Sequence, residues 1–264
     1  MSFVTSQIYK TAATTEQLPS IALVTGAKTG GIGLAIARKI ATFPFIERVV
    51  AVSRSITHAD TDPVDDKLVP LAADVTTESG RQVIVDKVAE LCGGGGPEGN
   101  TKKKQLRFLV HAAGTIHPIT SALKLKPTEL RQAILVNCEG PFFLTTALHP
   151  FLQPINNNIH NNSLSGRVLH VSSGAAHGAP PLGWAAYGIT KAAFFQSFRV
   201  LEHELRGTGV VVGSFKPGVV DTNMQGVIRD APGSDMPLVQ KFIGLKERRV
   251  PLLLPLRLLP LPDP

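Results

Sequence analysis

The chain has 264 residues, of which 43% are hydrophobic and 18% are charged, so it can form one large α/β domain and is not a disordered, collagen-like or coiled-coil protein. Its net charge of +7 comes from 27 basic and 20 acidic residues, but the basic runs at 102–104 and 246–249 are short and contain no aromatic residues, which argues against nucleic-acid binding. Two cysteines, Cys92 and Cys138, are too few for a disulfide framework or a Cys-based metal site, and they favour a reducing, cytoplasmic location.

Apolar runs of strand length alternate with amphipathic stretches of helix length along the chain. The predicted strands are Ser20–Thr25, Arg48–Ser53, Leu68–Ala73, Arg107–His111, Arg167–Ser172 and Val210–Phe215. The predicted helices are Ile32–Phe43, 77–91, 127–149 and Ala185–Arg206, with loops at 93–104 and 153–166. Continuous apolar strands that alternate with helices predict a single α/β domain with a doubly wound parallel sheet, the Rossmann fold. Such sheets bind ligands at the carboxyl ends of their strands.

The first predicted strand runs into a glycine-rich segment that opens the first helix. Glycines let the backbone turn sharply and approach a pyrophosphate, which the free N–H groups and the positive end of the helix then bind. Between a strand and an apolar helix, such a segment predicts a dinucleotide site. Its candidate residues are Gly26, Lys28, Gly30, Gly31, Ile32 and Gly33.

The end of the second strand suggests which dinucleotide binds. An NAD site carries an acidic residue here to hold the ribose hydroxyls, whereas this chain has Ser53 followed by Arg54. An arginine pairs with a 2′-phosphate, and Lys28 adds a second positive charge, so the sequence predicts NADP(H). The alternative is that Arg54 is a solvated surface charge. Asp74, with Val75 beside it, is expected to meet the adenine ring or to cap the helix that begins near Thr76.

The fifth strand and the following helix carry residues suited to acid–base chemistry. Ser172 and Ser173 end the strand, Tyr187 follows fourteen residues after Ser173, and Lys191 lies four residues beyond Tyr187. Residues four apart share one helix face, and an ammonium beside a phenol is expected to lower the phenol pKa. A tyrosine placed in this way donates a proton to a carbonyl oxygen as hydride arrives. The serine hydroxyl holds the same oxygen.

Together, the glycine loop, the serine and the Tyr-x-x-x-Lys resemble the short-chain dehydrogenase/reductase family, over about Ile21 to Met224. The resemblance implies that Asn137, in LVNCEGPFFLT, helps to carry a proton relay through water to Lys191, whose counterpart also binds the nicotinamide ribose. The further cofactor residues that it implies are Ala113, Gly114, Tyr187, Lys191, Pro217, Gly218, Val220 and Thr222. Within the family, GWAAYGITKAAFFQSF and PGVVDTNMQ are most similar to sepiapterin reductase-like and benzil reductase-like carbonyl reductases.

Three features depart from the family pattern. The glycine loop is one residue longer, with Gly30 and Gly31 adjacent. His111 stands where the family has an asparagine, and we expect it to make a structural hydrogen bond. The gap between serine and tyrosine is also one residue longer, which puts Gly174 at the family's serine position. We predict that Ser173 is the catalytic serine and keep Ser172 as the alternative.

The resemblance implies an enzyme that uses NADPH to reduce a ketone or aldehyde to an alcohol, with a small carbonyl compound as its partner and no metal. The resemblance is also compatible with a homo-oligomer. The alternatives are an NAD-dependent alcohol dehydrogenase of the same family and a catalytically silent NADP(H)-binding sensor or scaffold. His177 and Trp184 are expected either to contact the substrate or to pack as a loop histidine and a core tryptophan. Met224, Met236 and Phe242 suit either an apolar substrate lobe or simple helix packing.

The two ends of the chain differ from its centre. Residues 1–19 lack the apolar run of a signal peptide and the arginines of a transit peptide, so we expect a flexible leader. No stretch reaches the roughly 20 apolar residues of a membrane span. We assign 20–235 to the catalytic domain, and 236–264 to a remnant of a substrate lobe with a Pro/Leu-rich tail. Five of the 20 prolines fall in 251–264, and proline removes backbone donors, so we expect the family's last strand to be missing.

Overall fold

A computed structural model describes residues 19–61, 66–93, 104–155 and 166–247. In these ranges, six strands form one parallel sheet in the order β3-β2-β1-β4-β5-β6. The strands are β1 (Ser20–Thr25), β2 (Ile46–Ser53), β3 (Leu68–Ala72), β4 (Gln105–His111), β5 (Arg167–Val171) and β6 (Val211–Phe215). The strand order reverses between β1 and β4, which is the point at which doubly wound sheets open a ligand crevice. The predicted Rossmann fold is confirmed.

The helices are α1 (Ile32–Ala41), α2 (Glu78–Leu91), α3 (Pro127–Ile134), α4 (Gly140–Leu152), α5 (Ala185–Leu205), α6 (Asn223–Arg229) and α7 (Val239–Glu247). The first helix ends two residues before the predicted Phe43, because Pro44 disfavours the helical conformation at the residue before it. The helix predicted over 127–149 is instead interrupted by a π turn at Leu135–Glu139. Pro141 has no N–H to continue the ordinary ladder, and the Gly140 N–H donates to the Leu135 carbonyl.

Helices cover both faces of the sheet. On one face, Ala22, Val24 and Phe108 pack with residues of α1. On the other face, Ile21 and Leu23 pack with residues of α2, α4 and α5. Because neighbouring residues of each strand are buried on opposite faces, the strands are continuous apolar runs in the sequence. All six residues of β1 are buried.

A third apolar cluster lies apart from these two layers. It joins the segments after β4, β5 and β6 through Ile116, Trp184, Tyr187, Ile228, Met236 and Phe242. In the described part of the chain, no helix is both long and apolar enough to cross a membrane. Residues 1–18 of the predicted leader (1–19), and residues 248–264 of the predicted C-terminal remnant and tail (236–264), lie outside the described residues. The domain boundaries and the missing last strand therefore stay predictions.

Two histidines face each other where β4 and β5 pair. His111 and His170 are register partners, both are buried, and their ring centroids are 5.3 Å apart. His111 Nε2 lies 2.7 Å from the Thr145 hydroxyl oxygen, and that hydroxyl donates to the Pro141 carbonyl. His111 must therefore donate from Nε2, and this is the structural hydrogen bond that was expected of it. Burial lowers the pKa of His111 to about 3 and that of His170 well below its usual value, so both rings are neutral at neutral pH.

This pair makes the stability of the fold sensitive to acid. A histidine whose pKa is lower in the folded than in the unfolded state makes its full contribution to stability above about pH 6.5, the unfolded-state pKa. This contribution is lost as the pH falls towards the folded-state pKa. When the pH is lowered from 7.5 to 5.5, we expect each of the two buried histidines to lower the free energy of unfolding by about 1.4 kcal/mol. Urea denaturation at the two pH values measures the change.

The variant His170→Phe should lose about half of this pH dependence, because one of the two buried histidines is removed. The control variant His203→Phe alters an exposed histidine at the end of α5 and should keep the wild-type dependence. If His170→Phe and the wild type lost the same free energy on acidification, the buried pair would not be its source.

Candidate active site

The glycine loop lies against the segment that follows β4. Gly26 has a φ of +69°, and a Cβ added there would lie 2.5 Å from the Ala113 amide nitrogen. A Cβ at Gly33 would clash with the Gly26 carbonyl oxygen. The loop can therefore be this tight only because these positions lack side chains. It brings the N-terminus of α1 to the carboxyl edge of the sheet.

Asn223, the first residue of α6, fixes the glycine loop from the other side. Its Nδ2 donates to the Thr29 carbonyl at 2.8 Å, and its backbone N–H donates to the Gly30 carbonyl at 3.1 Å. Asn223 was not among the site residues predicted from the sequence. Its position directly after Thr222, a predicted cofactor residue, was the available signal.

A groove of about 700 Å³ runs along the carboxyl edge of the sheet. The predicted cofactor residues that line it are Gly26, Lys28, Gly30, Gly31, Ile32, Ser53, Arg54, Asp74, Val75, Ala113, Gly114 and Thr222. The other predicted cofactor residues, Gly33, Tyr187, Lys191, Pro217, Gly218 and Val220, are not part of this lining. Gly33 packs beneath the glycine loop, and 217–220 lies in the segment between β6 and α6. The fold thus brings most of the predicted dinucleotide site together in one groove.

Polar and cationic side chains that follow β1 and β2 line part of the groove. The Ser53 hydroxyl is buried and has no hydrogen-bond partner among the described residues, and Lys28 and Arg54 are exposed in the lining. Two carboxylates nearby already have partners. Asp74 accepts from the backbone N–H and the hydroxyl of Thr76, and Asp60, which lies near Lys28, accepts from Thr29 and Thr57. The groove lining thus offers one hydroxyl without a described partner and two exposed cations.

The alternative prediction that Asp74 caps α2 was wrong. The residue that caps α2 is Thr77, whose hydroxyl accepts the Gly80 N–H at 3.0 Å. Asp74 instead stabilises the turn that precedes the cap, because its Oδ1 accepts from both donors of Thr76. Its side chain stays at the groove, where contact with the adenine ring remains a prediction.

Ser173 and Tyr187 meet at the start of α5. The Ser173 side chain is near enough to Tyr187 to lower the pKa of the phenol, and the Ser173 hydroxyl accepts the Ala175 N–H at 3.2 Å. By contrast, the Ser172 hydroxyl is buried without a partner among the described residues. The extra residue at Gly174 is accommodated in a 3₁₀ turn at Gly174–Ala176. The serine that the structure brings to Tyr187 is therefore Ser173.

Lys191 lies one helical turn beyond Tyr187, but it is not directed at the phenol oxygen. Its Nζ donates to the Val171 carbonyl at 3.1 Å and lies 5.7 Å from the centroid of the Tyr187 ring. Burial lowers the pKa of Lys191 to about 8. Burial also raises the pKa of Tyr187, and Ser173 opposes this rise only in part. The expected lowering of the tyrosine pKa by Lys191 is thus wrong for this state, in which desolvation of the phenolate dominates.

Asn137 lies in the π turn and is buried. Its Oδ1 accepts the Thr115 N–H at 2.7 Å, and its Nδ2 donates to the Thr115 carbonyl at 2.9 Å and to the Thr190 hydroxyl at 2.8 Å. It thereby joins the segment after β4 to α5. A Cβ added to Gly114 would lie 3.3 Å from Asn137 Oδ1 and 3.7 Å from Lys191 Nζ, so the lysine amine lies next to the groove lining. Neither Thr115 nor Thr190 was predicted from the sequence as a site residue.

The other candidate residues are divided between surface and core. His177 is exposed and packs against Phe195, with ring centroids 4.2 Å apart. Trp184 is buried between Tyr187 and Phe242, at 5.4 and 5.5 Å between ring centroids. Met236 and Phe242 belong to the same cluster, Met224 packs against it, and Met224 also lines the groove. An apolar wall therefore surrounds Tyr187.

Comparison with known proteins identifies related sequences and folds. Residues 20–233 match the family described as short chain dehydrogenase. The chain is 33% identical to the benzil reductase ((S)-benzoin forming) of Bacillus cereus over 141 residues, which are 53% of each protein. It thus spans about half the length of this relative. It is 27% identical to a benzil reductase of Saccharomyces cerevisiae over 216 residues, 81% of this chain and 76% of the relative. The crystal structure of the KRED1-Pglu enzyme superposes with a TM-score of 0.72 at 26% identity, covering 87% of this chain and 88% of that enzyme.

The contact between the glycine loop and the segment after β4 can be tested at Gly26. The variant Gly26→Ala should lower the free energy of unfolding by about 2 kcal/mol or more, because it combines a positive φ with a clash against Ala113. Gly207→Ala is the control, since a Cβ at Gly207 meets nothing within 4 Å, and should stay within about 0.5 kcal/mol of wild type. Equal effects of the two variants in urea denaturation would contradict the tight packing of the loop.

Proposed function

Because the chain belongs to the short-chain dehydrogenase family, we propose that it is an NADPH-dependent carbonyl reductase that converts a ketone or aldehyde into an alcohol. The observation that carries the proposal is that Ser173 lies near enough to Tyr187 to lower its pKa, with the buried Lys191 one helical turn beyond Tyr187. A protein that only bound the dinucleotide would not need this acid–base set.

Cys92 and Cys138 are free thiols, which supports a cytoplasmic location.

The residues of the groove fit NADP(H) as the cofactor. The glycine loop and the N-terminus of α1 bind the pyrophosphate through backbone N–H groups. Ser53, Arg54 and Lys28 hold the 2′-phosphate, and Lys191 together with the segment 217–222 holds the nicotinamide half. When bound, the reduced nicotinamide supplies the hydride for the carbonyl carbon.

Tyr187 is the proton donor in this mechanism. Burial raises its pKa, so the phenol is protonated at neutral pH and can transfer its proton to the carbonyl oxygen as the C–H bond forms. The Ser173 hydroxyl hydrogen-bonds to the same oxygen and polarises the carbonyl. Lys191 returns a proton to Tyr187, through a water relay in which Asn137 takes part. Hydride and proton together complete the alcohol.

The apolar wall around Tyr187 favours an apolar carbonyl substrate. Trp184, Met236 and Phe242 supply aromatic and thioether surface, which suits an aromatic ring on the substrate. Two relatives are benzil reductases by name, and we extend this substrate class, aromatic ketones and diketones, to the present chain. Following NADPH absorbance with a panel of diketones, quinones, aldehydes and pterins tests it. If no panel member is reduced, a silent NADP(H)-binding protein becomes the better proposal.

The variant Tyr187→Phe tests the proton donor. We expect turnover of the best panel substrate to fall by about 10²- to 10⁴-fold, because the general acid is removed. NADPH should still bind to the variant, as followed by fluorescence titration, since the ring and the other cofactor residues remain in place. Near-normal turnover in Tyr187→Phe would contradict the mechanism.

The variant Arg54→Asp tests the recognition of the 2′-phosphate. We expect the KM for NADPH to rise by about 10- to 100-fold, because a charge-assisted hydrogen bond is lost, while the KM for NADH changes much less. Arg48→Asp is the matched control, because it makes the same charge change in β2 at an exposed residue outside the groove lining. A similar rise for both cofactors in Arg54→Asp would overturn the preference for NADPH.

A further inference from the structure

The lengthened glycine loop touches the first residue of α6 at its tip. Asn223 Nδ2 donates to the Thr29 carbonyl at 2.8 Å, and the Asn223 backbone N–H donates to the Gly30 carbonyl at 3.1 Å. Gly30 has a φ of +75°, and a Cβ added there would lie 2.6 Å from Asn223 Oδ1. A side chain at position 30 would therefore prevent this approach. We call the two hydrogen bonds the loop–α6 clasp.

The glycine loop is the rigid side of the clasp. The Thr29 hydroxyl donates to Asp60 Oδ1 at 2.7 Å, which ties the tip of the loop to the segment after β2. The loop also packs closely on the segment after β4, since a Cβ at Gly26 would clash with the Ala113 amide nitrogen. With the loop held from both of these segments, the clasp opens by a movement of α6.

The helix on the other side of the clasp is short and packs through few residues. It has seven residues, of which only Gln225 and Ile228 are buried. A segment with few buried apolar contacts separates from its neighbours at low cost in free energy. The two hydrogen bonds of Asn223 therefore make up a large part of what holds the start of α6 against the loop.

The clasp lies on the wall of the groove that we propose binds NADP(H). Both of its sides, Gly30 and Asn223, line this groove. In the proposed complex, the dinucleotide extends from Arg54 to Lys191, and its pyrophosphate lies at the glycine loop between them. The cofactor thus passes beneath the clasp. A molecule that extends on both sides of a closed bridge enters or leaves the groove only when the bridge opens.

The clasp and the cofactor use different atoms of the loop. The clasp engages the carbonyl oxygens of Thr29 and Gly30, whereas a pyrophosphate binds to backbone N–H groups. The two are therefore compatible, and the clasp stabilises the closed groove to the same extent with and without the cofactor. An interaction that is equal in the two states does not change the affinity. It raises the barrier that the cofactor crosses in both directions.

We propose that Asn223 is a positioning residue that controls the exchange of the nicotinamide cofactor, because the clasp opens each time the cofactor enters or leaves. This inference rests on the proposed binding of NADP(H) in the groove. Loss of the clasp should raise the association and dissociation rate constants by the same factor and leave Kd unchanged. A residue that contacted the cofactor directly would instead change Kd, mainly through faster dissociation. A residue with a merely structural role would change neither rate constant.

The variant Asn223→Ala removes the side-chain half of the clasp. Stopped-flow mixing with NADPH gives the association rate constant from NADPH fluorescence, and displacement of NADPH by excess NADP+ gives the dissociation rate constant. We expect both to rise about 3- to 10-fold, the effect of one lost hydrogen bond. Equilibrium titration should give the wild-type Kd. Gly226→Ala is the control in the same helix: its Cβ meets nothing within 4 Å, so both wild-type rate constants should be kept.

A second variant, Asn223→Ser, covers the case in which Asn223→Ala does not fold. Serine is favourable near the start of a helix, and its side chain is too short to reach the Thr29 carbonyl. The same equal rise in the two rate constants is therefore expected. Urea denaturation establishes that each variant is folded before its rate constants are measured.

Each outcome of these measurements decides the proposal. An equal rise in the two rate constants at constant Kd supports it. Unchanged rate constants, or loss of folding in both Asn223 variants, would overturn it. A higher Kd from faster dissociation alone would also overturn it, and would make Asn223 a direct cofactor contact. If the wild type binds only NADH, the preference for NADPH is wrong and the same measurements are made with NADH and NAD+. If it binds neither, the proposed function fails before any variant is made.

Discussion

The side-chain amide of Asn137 holds together the two elements on which the site is built. Its three hydrogen bonds join Thr115, in the segment that lines the groove, to Thr190, on the helix that carries Tyr187 and Lys191. The Asn137 side chain that makes these bonds is buried, and a satisfied polar network around a buried group is strong and specific. The π turn that carries Asn137 arises where Pro141 cannot donate a backbone hydrogen bond. A single proline thus helps to set the position of the residue that connects cofactor groove and catalytic helix.

Burial determines the charge state of the catalytic groups. The apolar cluster that encloses Tyr187 disfavours a phenolate, and burial likewise reduces the basicity of Lys191. A protonated phenol is the form that reduction needs, since the oxygen that develops negative charge must receive a proton. The apolar cluster that we propose receives the substrate therefore also keeps Tyr187 protonated, as reduction of the substrate requires.

The fold was predictable because it depends on local composition. Strands covered on both faces are continuous apolar runs, so β1 matched its predicted bounds and β2 and β4 differed only by starting two residues earlier. The site was predictable where spacing on one helix decides it, as for Tyr187 and Lys191. It was not predictable where distant segments meet: Asn223 holds a loop 194 residues earlier in the chain, and Lys191 Nζ donates to Val171 in β5. A position beside a predicted site residue can point to such a residue, but the sequence pattern does not identify the distant group to which it bonds.

Two loops are each one residue longer than the family pattern, and their local geometry shows how the site tolerates the extra residue. The extra glycine in the first loop makes Gly31 the N-cap of α1, with its N–H donating to the Lys28 carbonyl at 2.9 Å. The extra residue after β5 is taken up in the 3₁₀ turn at Gly174–Ala176, which leaves Ser173 against Tyr187. One more residue in a loop costs little closure entropy, whereas one more in a strand would turn every following side chain to the opposite face. Since both insertions fall outside the strands, the register of the sheet and the helix face of Tyr187 and Lys191 are unchanged.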